Sequence, residues 1–380
     1  MPLHPHARIP LALGAIYLGL NGLFGGGPDF SGCTHGEPAA KITGCTALID
    51  SGDLSGKNLS IAYLQRGLVH GEANNLDAAL SDYTAAIKAD PKHALAHSNR
   101  GHTYARMNEL MLAMADLDTA QKLDPNLGIV YQNRAFVYSL QGNPEAAMAQ
   151  AVRALEISPR DPQNHYNLGV LKAAQGDNAG ALAAYDKAVE VDPKHAGSHV
   201  NAGVILADQG ELDAAMIRYQ KALEIEPENT LAHHNLGVLH WRRQEWQKAL
   251  EETARAIAID RTFKQAYVIR AIARAQLGDV DGAYADNTAA IALDASFMVA
   301  YLNRAEIQIY KGRHQAAVED CSRAIDLHPA AAELGYAHAL RGQAQAKLGN
   351  TEDARSDFQK ALEFAPGEKI AKDGLASLGT

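Results

Sequence analysis

Residues 233–240, HHNLGVLH, set a polar asparagine among apolar residues spaced as on one face of a helix. The arrangement returns as HSNRGHTY, YQNRAFVY, HYNLGVLK, HVNAGVIL and YLNRAEIQ. The wider pattern has a fixed period. Pro91, Pro125, Pro159, Pro193 and Pro227 stand 34 residues apart, each after an acidic residue or serine. Twenty-four residues before them come Gly67, Gly101, Ala135, Gly169 and Gly203. Twelve before come Ala79, Ala113, Ala147, Ala181 and Ala215, and five before come Ala86, Ala120, Ala154, Ala188 and Ala222. Self-similarity at such a period marks a helical repeat array.

The spacing predicts two helices per repeat, A and B, of about 14 residues each. The small residue at position 8 of helix A and the alanine at position 20 of helix B let the two backbones approach. The alanine at position 27 does the same for the next repeat. Proline at position 32 ends helix B, because it has no N–H and clashes with the preceding turn. Glycine near position 15, as in Gly142, Gly176 and Gly210, turns the chain between the helices.

These residues are the signature of the tetratricopeptide repeat, and the chain resembles that family over most of its length. The register continues through Gly237, Ala249 and Ala256, then Ala271, Ala283 and Ala290, then Ala305, Ala317, Ala324 and Pro329. A last repeat with Gly342, Ala354, Ala361 and Pro366 is displaced by three extra residues in the AAAELGY stretch. Nine repeats are expected within 60–368: 60–93, 94–127, 128–161, 162–195, 196–229, 230–263, 264–297, 298–331 and 335–368. The resemblance implies an all-α fold, a right-handed superhelical solenoid of stacked helix-turn-helix repeats. Repeats six and seven depart from the pattern. Arg261 and Ala295 replace proline, and Thr253 and Asn287 stand where an apolar residue usually fills helix B. That seam is expected to pack least well and to open locally. Capping helices are expected over 39–52, within an N-terminal segment 28–59, and over 369–380.

The recurring asparagine is position 6: Asn99, Asn133, Asn167, Asn201, Asn235 and Asn303. Two residues from position 8 is a rotation of about 200°, so it points away from the helix pair. In a stacked solenoid that is the inner, concave surface. An amide both donates and accepts, so a ladder of them can pair with the backbone of an extended peptide. Family members with such a ladder, including certain protein glycosyltransferases, use it so, and the resemblance carries that role to these six residues. The competing reading has the amides bonding neighbouring repeats or facing water. Repeats one, seven and nine carry Gln65, Ile269 and Leu340 instead. Companion groove positions are largely apolar: Tyr166, Val170, Val200, Val204, His234 and Val238. Trp241 stands either in the groove as an anchor or between helices, while Trp246 falls where the family has a core aromatic in helix B. The chaperone-binding members clamp a carboxylate with Lys and Arg beside the asparagine. Here Leu95, Ser98, Ile129, Gln132, Gln163 and Gly197 occupy those places, which argues against a clamp.

Composition changes the picture at the N-terminus. The chain has 380 residues, 47% hydrophobic and 21% charged, with net charge −9, which speaks against binding nucleic acid by phosphate neutralisation. Residues 9–24, IPLALGAIYLGLNGLF, are uncharged and follow a polar start with one arginine. They are shorter than the roughly 20 residues a spanning helix needs. Residues 1–27 therefore read as a secretory signal or, alternatively, an uncleaved anchor. The expected location is the periplasm or the exterior, with membrane attachment only through a retained anchor. In an exported chain Cys33 and Cys45 could form a disulfide; two unrelated thiols are the alternative. Cys321 reads as a small buried hydrophobe.

Candidate chemistry is sparse. GDVDGAYAD, 278–286, fails as a calcium loop, with Tyr284 at the turn glycine and Ala290 at the closing glutamate. His233 and His234 are adjacent and diverge by about 100° on a helix. No phosphate loop, nucleophile elbow or zinc motif is present, so no metal or cofactor is expected. After leader, caps and repeats, nothing of domain size is left for a catalytic domain. The expected function is a non-catalytic scaffold that binds an extended peptide. Action through the convex face, self-association, or an enzyme with an unrecognised site are the alternatives.

Overall fold

The computed structural model describes residues 29–327 and 330–379. The leader at 1–27 and the proline expected at position 32 of repeat eight, Pro329, lie outside the described residues. Among the described residues there are 21 helices and no strand. A short turn, Ser31–Thr34, and a cap helix, Pro38–Asp50, precede nine helix pairs. The pairs run from Gly56–Glu72 with Leu76–Ala89 to Ala331–Leu348 with Thr351–Phe364, and Lys369–Ser377 closes the series. The chain divides into two compact bodies between Ala202 and Gly203.

The pairing of A with B follows from side-chain size. In the first body, a Cβ added to Gly67 would stand 2.7 Å from the Tyr83 ring, and one on Gly169 would stand 2.5 Å from Tyr185. In the second body the same test brings Gly203 to 2.5 Å from Tyr219, and Gly342 to 2.8 Å from Phe358. Position 8 is thus the floor on which the aromatic of position 24 lies. The alanines of positions 20 and 27 are fully buried throughout, from Ala79 and Ala86 to Ala354 and Ala361. Between A and B the chain takes a left-handed residue at position 15. Gly142, Gly176 and Gly210 serve in three repeats, and Asn74, Asn108 and Gln244 serve in repeats one, two and six at φ near 60°.

Two polar devices repeat with the register. The first fixes the turn into the A helices of repeats two, three, four, six, seven and eight. The ring or hydroxyl of position 4 meets the carbonyl of position 32 in the preceding repeat. Tyr131 Oη donates to the Pro125 carbonyl at 2.9 Å, and His165 Nε2 lies 3.0 Å from that of Pro159. Tyr267 and Tyr301 make the same bond to Arg261 and Ala295, so the turn is kept where proline is missing. The second device joins position 7 to position 23. In the first body Arg66 grips Asp82 and Arg100 grips Asp116, both through two nitrogens. In the second body Arg270–Asp286, Arg304–Asp320 and Arg341–Asp357 repeat it. A third arginine nitrogen reaches the preceding B helix, as in Arg304 to Thr288 and Arg341 to Ser322. Repeats four to six carry Leu168, Ala202 and Leu236 at position 7 and lack this pair.

In repeats six and seven Thr253 and Asn287 are fully buried. The hydroxyl of Thr253 donates to Ala249 O at 2.6 Å, and the Asn287 amide donates to Ala283 O at 3.0 Å. Each side chain thus donates to its own helix, while Asn287 Oδ1 is buried without a hydrogen-bond partner among the described residues. The three extra residues before repeat nine lengthen its A helix at the N-terminal end, from Ala331.

Both ends are covered. Ile370, Ala371 and Leu375 of the last helix pack on Phe358 and Ala361. At the other end Phe30, Cys33, Cys45, Leu54 and Ala62 form one cluster. A Cβ on Gly44 would fall 1.9 Å from Gly32 O, so glycine there permits the close contact of turn and cap helix.

Asp320→Ala is expected to leave Arg304 uncompensated and cost about 3–5 kcal/mol, whereas Arg304→Met with Asp320→Leu stays close to neutral. Urea unfolding of the two variants measures the difference. An equal loss in both would mean that packing, not charge pairing, sets the cost.

Candidate asparagine ladder on the A-helix face

Within the first body, successive A helices lie side by side, and their contacts define a face turned away from the B helices. Asn133 Nδ2 donates to Ser98 O at 3.3 Å and Ser98 Oγ at 3.0 Å. Asn201 Nδ2 donates to Tyr166 Oη at 3.1 Å. Position 6 of one repeat therefore meets position 5 of the repeat before. Next to this row, at position 9, the rings of His102 and Phe136 stand 5.6 Å apart.

All six asparagines are buried, with exposures of 0–5%. Their bonding differs. Asn133 and Asn201 reach across to the preceding repeat, and Asn167 Oδ1 accepts from Gln163 at 2.8 Å. Both amide atoms of Asn99, and the Nδ2 atoms of Asn167 and Asn303, have no hydrogen-bond partner among the described residues. A buried, unpaired amide costs about 1–3 kcal/mol. A fold keeps such a cost where a ligand, water or strain explains it.

The companion residues are placed as follows. Tyr166 is buried, with its ring against Tyr185 at 5.8 Å and His195 at 5.1 Å. Burial raises its phenol pKa, so it acts as a neutral acceptor towards Asn201. Val170 is half-buried, and Val200 is fully buried. In the second body Val204 and Val238 are buried, and His234 is buried with its ring edge-on to Phe263 at 5.1 Å. Trp241 and Trp246 are both half-buried. Asn235, His234, Val238 and Trp241 share the helix Thr230–Arg242, and Asn303 lies on Met298–Tyr310. Cys33 and Cys45 stand together, with Cα atoms 4.4 Å apart. Cys321 is buried, which pushes its thiol pKa up.

Three features escaped the sequence reading, and the first two leave a trace at the 34-residue spacing. These are the His or Tyr at position 4, the Arg–Asp pair at positions 7 and 23, and Gln132. Gln132 donates to Asp161 at 2.8 Å and Asn164 at 2.7 Å, tying repeat three to repeat four. Two histidines are shifted in opposite directions. Burial lowers His102 to about 4, so it is neutral at ordinary pH. His233 is raised by its bond to Glu252 at 2.6 Å, and its other nitrogen faces Pro227 O at 3.0 Å. Two acceptors on one ring call for the imidazolium form.

Among the described residues, no three His, Cys, Asp or Glu side chains are placed to hold a metal ion. Among them also, no helix is long and apolar enough to cross a membrane. Stacked helix pairs with a small-residue floor define an all-α helical-repeat solenoid protein. Family models described as tetratricopeptide repeat match residues 64–127, 129–161, 162–195, 299–330 and 335–368, and one described as TPR repeat matches 203–244. Together they cover more than half of the chain, which belongs to the tetratricopeptide repeat family.

Solved structures agree on the fold. The chain is similar to Pseudomonas aeruginosa PilF, at 17% identity over 58% of this chain and 100% of that one, TM-score 0.52. It is similar to a chain of the APC/C hetero-tetramer Cut9–Hcn1, at 14% identity over 90% and 83%, TM-score 0.52. A tetratricopeptide repeat protein from Parabacteroides merdae ATCC 43184 matches at 21% identity over 66% and 98%, TM-score 0.49. No curated protein matches the chain. Proteins of this family generally bind other proteins and are typically non-catalytic scaffolds.

The raised pKa of His233 fixes the sign of a pH effect. Its contribution to stability is full below the unfolded value of 6.5 and is lost as pH rises through the folded value. Urea unfolding from pH 5.5 to pH 9 should show this decline, and Glu252→Gln should remove it. A decline of the same size in Glu252→Gln would assign the effect to other groups.

Proposed function

We propose that the chain is a non-catalytic interaction scaffold that holds an extended segment of a partner protein along its A-helix face through position-6 asparagines. The observation that carries this reading is the set of buried amide atoms, on Asn99 and Asn167 in the first body and on Asn303 in the second, that bond to nothing among the described residues. A peptide backbone supplies the carbonyl and N–H that such amides need. Tyr166 and Val170 would supply an apolar wall in the first body, and Val204, His234, Val238 and Trp241 one in the second, each body taken by itself. The asparagines are closed to solvent, so capture requires that whatever covers them be displaced. Asn133 and Asn201, bonded to Ser98 and Tyr166, favour a second role for the ladder: holding neighbouring repeats in register.

The same reading places the chain outside the cytoplasm, with residues 1–27 as signal or retained anchor. Cys33 and Cys45 then form a disulfide that pins the N-terminal turn on the cap helix. The sequence separation is 12 residues. Closing so short a loop contributes about 2–3 kcal/mol to the stability of the cap.

Crosslinking in the native cell followed by mass spectrometry tests the ladder. Asn99→Ala with Asn167→Ala should lose the partner captured by the wild type while unfolding at nearly the same temperature. Asn133→Ala with Asn201→Ala should instead lower stability, by about 1 kcal/mol per lost bond. Undiminished capture by the Asn99/Asn167 variant would refute peptide binding by the ladder. For the disulfide, the intact mass under non-reducing conditions should be lighter by two hydrogens than the reduced chain, and two free thiols would refute it.

A further inference from the structure

Resting on the reading that the A helices hold a partner segment, we infer that Glu306 and Tyr310, on the helix Met298–Tyr310 of the second body, form a cation subsite for a Lys or Arg side chain of that segment.

Glu306 is set apart by having no counter-ion. It is the only Asp or Glu at positions 1 to 13 of repeats six to nine, residues 230–242, 264–276, 298–310 and 335–347. The cations of the same stretches are engaged with other groups. Lys264 pairs with Asp294, Arg270 with Asp286, and Arg274 with Asp279 and Asp286. Arg304 pairs with Asp320 and Arg341 with Asp357. Arg242 donates to Ala207 O at 2.9 Å. The remaining one, Lys347, is exposed on the next A helix and forms no ion pair among the described residues. Glu306 likewise has no hydrogen bond or ion pair among them. The residue is exposed, at position 9, yet desolvation raises its carboxyl pKa to about 7. A cation set beside the carboxyl would favour its ionised form.

Tyr310 supplies the second wall. It follows Glu306 by four residues, the spacing that makes side chains neighbours on a helix surface. Its exposure is 79%, whereas Tyr301 at the start of the same helix is 8% exposed and bonded to Ala295 O. The Tyr310 ring and hydroxyl make no contact of that kind among the described residues. A carboxylate beside an aromatic face suits an ammonium or guanidinium group, which gains an ion pair and a cation–π contact together. Both residues are exposed, unlike the closed asparagines. The flanking position-9 residues, Ile272 on the preceding A helix and Gln343 on the following one, are uncharged and half-buried, so neither competes for the cation. The net charge of −9 also favours a basic partner segment over an acidic one.

The test uses the full chain and fluorescence anisotropy with three short, dye-labelled peptides capped at both ends. They share one sequence of Gln, Ser and Leu around a central residue, which is Lys, Met or Glu. At pH 8 and low salt the Lys peptide should bind at least about tenfold tighter than the other two, the combined size of an ion pair and a cation–π contact. Glu306→Gln and Tyr310→Ser should each reduce that preference at least about threefold, with little change in Tm because both positions are exposed. Lys347→Gln should leave it undiminished. Affinity of the wild type for the Lys peptide should fall between pH 8 and pH 6, as the carboxyl of pKa about 7 takes up its proton, and that of E306Q should not. Equal affinity for the three peptides, or a Lys preference that survives Glu306→Gln, overturns the subsite. If none binds, the subsite is overturned as well, and capture by the asparagines, read separately on Asn99 and Asn167 in the first body, decides whether the interaction reading stands. Self-association that depends on Glu306, with no peptide bound, would assign these residues to a second copy and overturn the proposal.

Discussion

The contact on which the structure depends is the close approach of helix A to helix B at position 8. In Gly169 and Gly203 even one methyl group would enter the ring of the tyrosine at position 24. Alanines at positions 20 and 27 extend the same thin interface to the next repeat, all fully buried. Small residues bury little area each, so stability comes from adding such contacts along the stack. The large side chains of position 24 then fill the space that the glycine leaves.

On this apolar frame the polar groups divide into two layers. The Arg–Asp pairs of positions 7 and 23 bind A to B and reach back to the preceding B helix, as Arg304 does to Thr288. The amides of positions 5 and 6 bind A to A on the other side, as Asn133 does to Ser98. Among the described position-6 asparagines, Asn99 is set apart by having two amide atoms without a partner. The Arg–Asp layer is interrupted in repeats three to six, where Gln150 replaces the aspartate of repeat three and Leu168, Ala202 and Leu236 replace the arginine of the next three; in repeat six His233 and Glu252 join A to B instead.

Much of the fold was legible because the small residues that permit helix contact are the ones that repeat. Helix pairing, the turns at Gly142, Gly176 and Gly210, and the caps are all local consequences of residue size and backbone freedom. The candidate site was legible only in part. The sequence singled out Asn99 and Asn133 alike, since both occupy position 6 and both precede a small or apolar stretch. What separates them is whether position 5 of the previous repeat offers an acceptor. The Ser98 hydroxyl does so for Asn133, whereas Leu64 has no side-chain acceptor to offer Asn99. That difference lies 35 residues away and appears only when the helices are side by side.

The sequence by itself determined the period, the helix pairs and the residues that let backbones meet, because steric fit within a repeat is written in the sizes of neighbours. It also marked which amides recur. The tertiary structure decided which of those amides are engaged, where Thr253 and Asn287 find partners, and which histidine carries a proton. The physical reason is that hydrogen bonding and desolvation depend on groups brought within about 3 Å by packing, and no spacing along the chain specifies that distance.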